Sequence, residues 1–312
     1  MTVGLARTDG LVGHIGIIAP GGYDADPERL KRATAYFERR GYRVVIAPES
    51  SARQLRFSDS DAARAAAIAR VVADPVIDLV LALRGSYGLT RLLPNLDFDA
   101  IAASIRQRGK RFVGHSDFTA FHLGLFARTG AISFAGPMAS YDFGGESVDA
   151  FTEKHFWQAM DGSHDRVEFP TAHADLTTGG TLWGGNLAMI ASLIGTPWMP
   201  RVADGILFVE DTNEHPYRIE RTLLQLLHAG ILDKQRAVLC GDFSNYRLAD
   251  FDNGYDLKVA LAYVRSVSRV PIVTGLPFGH CESKLTLPVG GNAELAIANG
   301  CCRLAFSWDL AT

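Results

Sequence analysis

Short apolar runs alternate with amphipathic segments through the first half of the chain. The first run, residues 14–19, ends at Pro20-Gly21-Gly22 and predicts a buried strand followed by a turn. A helix is predicted to follow, with Asp26 as its N-cap, and to end before Gly41. The alternation predicts further strands at residues 42–47, 76–83 and 111–114, and helices at residues 60–73, 98–108 and 118–128.

The second half of the chain has a different pattern, with shorter apolar runs and one clear amphipathic helix at residues 217–227. Residues 177–196 are rich in glycine and other small residues. Asn299-Gly300 separates two short runs and predicts a β-hairpin. Strands are predicted at residues 205–210, 237–240, 271–274, 284–289, 293–298 and 303–306.

Together these patterns predict an α/β protein with two domains. Strand–helix alternation favours a parallel sheet with helices on both faces, so we expect such a domain at residues 1–165. The shorter runs predict a smaller, β-rich α/β domain at residues 166–312. Ligands of parallel sheets bind beyond the carboxyl ends of the strands, and we expect the functional residues there.

Composition and charge narrow the classes of function. The 312 residues carry a formal charge of -3, with a pI near 6.3, which gives no electrostatic case for nucleic acid or an anionic membrane as a partner. No apolar stretch approaches the roughly 20 residues of a membrane helix, and the N-terminus lacks the pattern of a signal peptide. The four cysteines include no C-x-x-C pair, and H-E-x-x-H and Walker A motifs are absent. We therefore expect a cytoplasmic protein that uses no metal or cofactor.

Ser116 is the first candidate for chemistry. It lies between a predicted strand and a predicted helix, in Gly114-His115-Ser116-Asp117, where a tight turn would expose its side chain above the sheet. The G-x-S-x-G pattern of α/β-hydrolases is not met, because Phe118 stands at its last glycine. Two alternatives remain: this serine or its neighbour merely caps the helix, or the nucleophile is Cys240 or Cys281.

A hydroxyl nucleophile needs a base, and the base needs a group that orients it. His280 is the best candidate base, because it follows residues 271–279, which are predicted as a strand. His115 is expected to point to the opposite face from Ser116. Glu210 ends another buried strand and is the candidate orienting carboxylate. The alternatives are that His280 is a surface or strand-capping histidine and that Glu210 belongs to a solvated acidic loop.

The segment Arg84-Gly85-Ser86-Tyr87-Gly88 follows a further buried strand. Its two glycines predict a backbone turn whose N–H groups can approach a ligand. Such a turn suits one half of an oxyanion hole, and the alternative is a turn without a catalytic role.

Several segments of the chain, in order, resemble the LD-carboxypeptidase family of serine peptidases. The similarity extends from about residue 14 to residue 290, and the joint occurrence of the segments is specific. The matching segments are Arg84-Gly85-Ser86-Tyr87-Gly88, Gly114-His115-Ser116-Asp117-Phe118-Thr119-Ala120, Gly136-Pro137-Met138, Gly180-Thr181-Leu182-Trp183-Gly184-Gly185-Asn186-Leu187, Glu210-Asp211, Asn213-Glu214-His215-Pro216, and Gly275-Leu276 with Phe278-Gly279-His280.

The resemblance implies a Ser-Glu-His catalytic triad, which falls on Ser116, Glu210 and His280. The backbone N–H groups of Ser86 and Asp117 are then expected to form the oxyanion hole. The family usually has glycine where this chain has Ser86. A positive φ at that position would strain the serine by roughly 1–3 kcal/mol.

A carboxypeptidase also has to bind the free carboxylate of its substrate. Arg84 is the candidate, since a guanidinium matches a carboxylate bidentately, and a surface or interdomain salt bridge is its alternative role. Gly85, Trp183 and Asn186 are the other expected substrate-binding residues, although interdomain packing is an alternative for Trp183.

The resemblance further implies a flavodoxin-like N-terminal domain, a β-rich C-terminal domain that carries the glutamate and the histidine, and a homodimer. Members of the family release the terminal D-Ala of the murein tetrapeptide L-Ala-D-Glu-mDAP-D-Ala during cytoplasmic recycling of the cell wall. Two alternatives stay open. One is a hydrolase of another amide on the same scaffold, such as a peptide-nucleotide conjugate, and the other is a muropeptide-binding protein without catalysis.

Overall fold

The computed structural model describes residues 12–163 and 166–311, which form thirteen β-strands and eight α-helices. The expectation about a signal peptide falls on residues 1–11, outside the described residues. The strands are β1 (Gly13–Ile18), β2 (Tyr42–Ile46), β3 (Leu79–Ala82), β4 (Arg111–Gly114), β5 (Ser133–Ala135), β6 (Val167–Pro170), β7 (Leu176–Asn186), β8 (Ile206–Thr212), β9 (Ala237–Ser244), β10 (Ile272–Thr274), β11 (Leu287–Val289), β12 (Asn292–Ala298) and β13 (Cys301–Ser307). The helices are α1 (Pro27–Arg39), α2 (Asp61–Ala73), α3 (Phe98–Arg108), α4 (Thr119–Thr129), α5 (Ala150–Asp161), α6 (Leu187–Ser192), α7 (Pro216–His228) and α8 (Leu257–Val267).

The first sheet confirms the predicted flavodoxin-like arrangement. Its strands lie in the order β2-β1-β3-β4-β5, and all five are parallel. Strand β3 is shorter than the predicted strand at residues 76–83, because the Val76 N–H donates to the Asp74 carboxylate in a turn. The sheet is covered by α-helices and ends in loops that carry the segments singled out in the sequence.

The second sheet is mixed, and it confirms the strand-rich second half. The long strand β7 lies at its centre, parallel to β8 on one side and antiparallel to β12 on the other. Strands β9 and β10 extend the parallel side, and β13 and β6 extend the antiparallel side. The predicted hairpin joins β12 to β13, with positive φ at both Asn299 and Gly300, as a type I′ turn requires.

The chain returns to the first sheet late in the sequence. Strand β11 pairs antiparallel with β5, so residues 287–289 form an edge of the first sheet although they belong to the second half. The predicted domain boundary at residue 165 lies in the gap at residues 164–165, outside the described residues. None of the helices in the described ranges is long and apolar enough to cross a membrane.

The loop between β10 and β11 is fastened to the first half at several points. The Thr152 hydroxyl of α5 donates to the Glu282 carbonyl at 2.9 Å and accepts from the Lys284 N–H at 2.9 Å. The Lys284 ammonium forms a buried ion pair with Asp142, in the turn that follows β5. This loop, residues 275–286, therefore connects the two sheets through both backbone and charge.

Candidate active site

Ser116 lies on a tight turn between β4 and α4. Its φ is +61°, in the left-handed region, and a short 3₁₀ turn at residues 116–118 leads into the helix. A Cβ at Gly114 would lie 2.8 Å from the Phe118 ring and 2.9 Å from Ala82, so the turn needs glycine there. No side chain caps the N-terminus of α4, which removes the alternative role of Ser116 as a cap.

His280 connects Ser116 to Glu210. Its Nε2 lies 3.1 Å from Ser116 Oγ, and its Nδ1 lies 2.6 Å from Glu210 Oε2. With the proton on Nδ1, the imidazole donates to the carboxylate and can accept the serine proton. The strand predicted at residues 271–279 is wrong beyond Thr274, because Gly275, at φ +102°, ends β10 and His280 lies in the loop that follows.

Glu210 is fully buried on β8, so it does not belong to a solvated acidic loop. The Asn186 amide donates to Glu210 Oε1 at 3.2 Å and to Asp211 Oδ1 at 2.9 Å. Burial, opposed by the Asn186 hydrogen bond, raises the pKa of Asp211 to about 6. These bonds hold the Glu210 carboxylate in place behind the imidazole.

The two histidines near Ser116 have opposite electrostatic settings. Burial lowers the pKa of His280, but the hydrogen bond and charge of Glu210 outweigh it and leave this pKa above the ordinary value. Burial lowers the pKa of His115 well below its ordinary value, and its Nδ1 lies 2.9 Å from the Gly136 carbonyl oxygen. His115 was expected to face away from Ser116, yet its ring centroid lies 5.1 Å from that of His280. The alternation rule fails here because β4 ends at Gly114.

The Arg84–Gly88 segment faces Ser116. A Cβ at Gly85 would lie 2.7 Å from Ser116 Cβ, 2.8 Å from its Oγ and 3.7 Å from the Asp117 nitrogen. Ser86 has a φ of +70°, so the serine occupies a conformation that favours glycine. The Arg56 guanidinium donates to the Ser86 hydroxyl at 3.4 Å. The two predicted oxyanion-hole residues, Ser86 and Asp117, thus lie on turns that meet at Ser116.

Arg84 is held beside this turn by neutral groups. Its Nη1 donates to the Tyr23 carbonyl oxygen at 2.9 Å, and the guanidinium lies 5.4 Å from the centre of the Tyr141 ring. Its Nε is buried without a hydrogen-bond partner. Arg84 forms no salt bridge with the described residues, so the alternative structural role proposed for it is not observed.

Two of the expected substrate-binding residues, Trp183 and Asn186, are buried. Trp183 is fully buried, and its indole N–H donates to Gln235 Oε1 at 2.9 Å, a contact that lies within the second half of the chain and not between the two predicted domains. Asn186 is also buried, with its amide bonded to Glu210 and Asp211 and its Oδ1 accepting from the Met189 N–H. Both residues support the carboxylate strand instead of lining a cleft.

The surroundings of Cys240 and Cys281 disfavour both as nucleophiles. Burial raises the pKa of Cys240 to about 12 and that of Cys281 to about 11, which leaves little nucleophilic thiolate at neutral pH. The described parts of the chain contain no cluster of three or more metal-ligating side chains. A serine, an imidazole and a buried carboxylate in hydrogen-bond sequence, on a two-sheet α/β fold, are the constellation of a serine hydrolase.

Comparison with known proteins gives the family within that class. Residues 15–136 match the LD-carboxypeptidase N-terminal domain, and residues 179–295 match the LD-carboxypeptidase C-terminal domain. The chain belongs to the LD-carboxypeptidase family and is a serine-type carboxypeptidase.

Three similar proteins cover nearly the whole chain. The crystal structure of the muramoyltetrapeptide carboxypeptidase from Oxalobacter formigenes is 47% identical, with a TM-score of 0.88 over 95% of this chain and 99% of the other. The probable murein peptide carboxypeptidase of Bacillus subtilis is 31% identical, over 91% of this chain and 89% of its own. The microcin C7 self-immunity protein MccF of Escherichia coli is 26% identical, over 86% and 85%.

Proposed function

We propose that this carboxypeptidase releases the terminal D-Ala of the murein tetrapeptide L-Ala-D-Glu-mDAP-D-Ala, with Ser116, His280 and Glu210 as its triad. The observation that carries the proposal is the continuous hydrogen-bond chain from the Ser116 hydroxyl through the imidazole to the buried carboxylate. The substrate class is supported by two relatives of full length whose names describe murein peptide carboxypeptidases.

In this mechanism Ser116 attacks the carbonyl of the peptide bond before D-Ala. His280 takes the serine proton at Nε2 and later gives it to the leaving amine. Glu210 accepts a hydrogen bond from Nδ1–H and stabilises the imidazolium that forms, which agrees with the raised pKa of His280. Water then attacks the acyl-enzyme, with the imidazole acting again as base.

The oxyanion is proposed to bind between the backbone N–H groups of Ser86 and Asp117. Both residues lie on turns that come within van der Waals distance of one another at Ser116. A preorganised donor of this kind lowers the barrier without any reorganisation during the reaction, and the loss of one costs about 10²–10³ in kcat.

Arg84 is proposed to bind the substrate carboxylate together with the backbone at Gly85. Its guanidinium is free of acidic partners among the described residues and lies on the turn that faces Ser116. A guanidinium in such a position can form two parallel hydrogen bonds with a carboxylate.

The direct test is D-Ala release by the Ser116→Ala variant. The variant should fold normally, because Ser116 donates only to His280, and it should release no D-Ala from the tetrapeptide. A fluorophosphonate probe should label the unmodified protein at Ser116 and leave the variant unlabelled. Full activity of the variant would refute the assignment of the nucleophile, and tight muropeptide binding without D-Ala release by the unmodified protein would favour a binding role.

A second substrate class has specific support. The microcin C7 self-immunity protein MccF is 26% identical, and a structure of MccF holds aspartyl sulfamoyl adenosine, which supports the alternative of a substrate in which an amino acid is joined to a nucleotide. A panel of murein tetrapeptides and aminoacyl-nucleotide amides, compared by kcat/KM, separates the two. We expect the tetrapeptide to be preferred, in line with the higher identity to the muramoyltetrapeptide carboxypeptidase.

We also propose that the enzyme acts in the cytoplasm as a homodimer. The proposal rests on the family resemblance and on the place of tetrapeptide cleavage in cell-wall recycling. Fractionation of cells and sedimentation of the purified protein would test the two parts separately.

A further inference from the structure

The side chain of Asp117 is buried at the point where the two turns of the active site meet. Only 3% of the residue is exposed, and its Oδ2 accepts a hydrogen bond of 2.8 Å from the Leu89 N–H. Leu89 directly follows the Arg84–Gly88 segment, whereas Asp117 directly follows Ser116. The bond therefore joins the nucleophile turn to the turn that carries Ser86.

The surroundings of this carboxyl leave almost no free space. A Cβ at Gly21 would lie 3.3 Å from Asp117 Oδ2, so the backbone at Gly21 packs closely against the carboxyl. Asp117 Oδ1 is buried without a hydrogen-bond partner. Buried polar atoms without a partner are few in native proteins, so the placement of this carboxyl needs a physical explanation.

Asp117 is connected to the proposed oxyanion hole in two ways. Its backbone N–H is one of the two proposed donors, and its side chain fixes the segment that presents the other donor, the Ser86 N–H. If the bond to Leu89 were lost, the two turns could separate without breaking any bond of the triad itself. A misplacement of about 1 Å at a reacting centre costs on the order of 10²-fold in rate.

We propose that the Asp117 side chain is a positioning group that sets the spacing between the two halves of the oxyanion hole. The inference rests on the proposed function, because it takes Ser116 as the nucleophile. The required property of the side chain is an acceptor oxygen, not a charge, since a neutral carboxyl or an amide also accepts from an N–H.

The electrostatic setting agrees with this requirement. Burial raises the pKa of Asp117 to about 7, although the Leu89 and Gly88 amides and the charge of Arg64 oppose the rise. The carboxyl is thus partly neutral near pH 7. The neutral form keeps an acceptor for Leu89 and places no full negative charge beside the forming oxyanion.

The test compares three substitutions at Asp117 with a matched control. Asp117→Ala should lower kcat by about 10–100-fold with KM within threefold, and it should slow fluorophosphonate labelling of Ser116 by a similar factor. Asp117→Asn keeps an acceptor and should stay within fivefold of the unmodified protein in both measurements. Asp117→Leu, which has the same number of heavy atoms and no acceptor, should behave like the alanine variant and serves if alanine prevents folding.

Asp78→Ala is the control. Asp78 Oδ2 accepts from the His14 N–H at 2.9 Å at the amino ends of the strands, opposite the ends that carry Ser116, so the variant loses a similar cross-link far from Ser116. It should lower the melting temperature and leave kcat and labelling unchanged. The proposal is overturned if Asp117→Leu keeps kcat within threefold, if Asp117→Asn loses as much as Asp117→Leu, or if Asp78→Ala lowers kcat equally. Labelling of Ser116 needs no knowledge of the substrate, so a failure of D-Ala release by the unmodified protein would refute the proposed function and leave this test intact.

Discussion

The two sheets contribute to the active site in different ways. On the first sheet the geometry of the site is set by backbone conformation, because Ser116 and Ser86 both have positive φ and Gly85 leaves no room for a Cβ beside Ser116. The second sheet contributes side chains, since Glu210 and Asn186 lie at the end of parallel strands β8 and β7 and are held by hydrogen bonds.

This difference predicts opposite sensitivities. Where close backbone contacts set the geometry, substitutions that add atoms should lower activity. Where hydrogen bonds between side chains set the geometry, substitutions that change polar atoms should lower it. The following four substitutions test that contrast. One of them lies in the loop that joins the two halves.

Glu210→Gln should have the largest effect, a loss of about 10⁴ in kcat, because an amide no longer holds the imidazole in the tautomer that accepts the serine proton. Steady-state D-Ala release measures it. Glu220→Gln is the matched control, because Glu220 accepts a bond from the Tyr255 hydroxyl on the same half and has no link to His280. Equal losses in both variants would contradict the special role of Glu210.

The same variant should change the pH profile in a defined direction. Activity requires neutral His280, so kcat/KM falls as the pH falls through the pKa of this residue. Glu210 raises that pKa against the opposing effect of burial. Residual activity of Glu210→Gln should therefore persist to lower pH than the activity of the unmodified protein, and an acid limb that moves to higher pH would contradict the electrostatic account.

Lys284→Met tests the ion pair between the halves. The variant leaves Asp142 buried without its partner, which should cost about 3–5 kcal/mol in the free energy of unfolding. Chemical denaturation measures the loss. The double variant Asp142→Asn, Lys284→Met removes both charges and should recover most of the stability, whereas a double variant as unstable as the single one would show that the charge pair is not the cause.

Gly85→Ala should lower kcat by about 10²-fold, because its Cβ would lie 2.7 Å from Ser116 Cβ and displace one of the two turns. Gly13→Ala is the control. Gly13 lies at the amino end of β1, at the end of the sheet opposite Ser116, and a Cβ there would lie 2.9 Å from Asp78 Oδ2. The control should affect stability alone. An unchanged kcat for Gly85→Ala would contradict the close contact inferred at the nucleophile.

Ser86→Gly should have the smallest effect, a gain of up to about 1 kcal/mol in stability with kcat within threefold, because glycine adopts positive φ without the penalty of a side chain. Thermal unfolding and D-Ala release measure the two quantities. Leu55→Gly is the control, since Leu55 has a φ of +56° and is largely exposed. A loss of activity with Ser86→Gly would show that the hydroxyl, and not only the backbone, takes part.

The sequence predicted the elements whose pattern is local. Strands β1, β3 and β4 were recognisable because each is a largely buried apolar run closed by a turn, and the β12–β13 hairpin because Asn299-Gly300 suits one turn type. Strand β5 and helices α5 and α8 were not predicted, although α8 has an apolar stripe formed by Ala260, Leu261 and Val264.

The candidate site was predictable as a set of residues and less so as a geometry. His280 lies within hydrogen-bond distance of both Ser116 and Glu210. Along the chain the three residues follow in the order of proposed nucleophile, carboxylate and base. The position of His280 in a loop depends on distant contacts such as the approach of Gly279 to Glu210, which no local pattern encodes. Trp183 was misplaced for a similar reason, because the sequence does not reveal that its indole faces Gln235 in the core.

Strand β11 has a consequence for how the molecule is made. During synthesis, residues 287–289 leave the ribosome long after β5, so the edge of the first sheet stays open while the second half is translated. An open edge is a template for pairing with other chains, and the nascent protein therefore passes through a stage that favours chaperone contact. The strand that closes this edge follows His280 by only a few residues. The sheet is therefore completed at nearly the same time as His280, the proposed base, becomes available, and we expect a truncated chain that lacks this segment to be inactive and prone to aggregate.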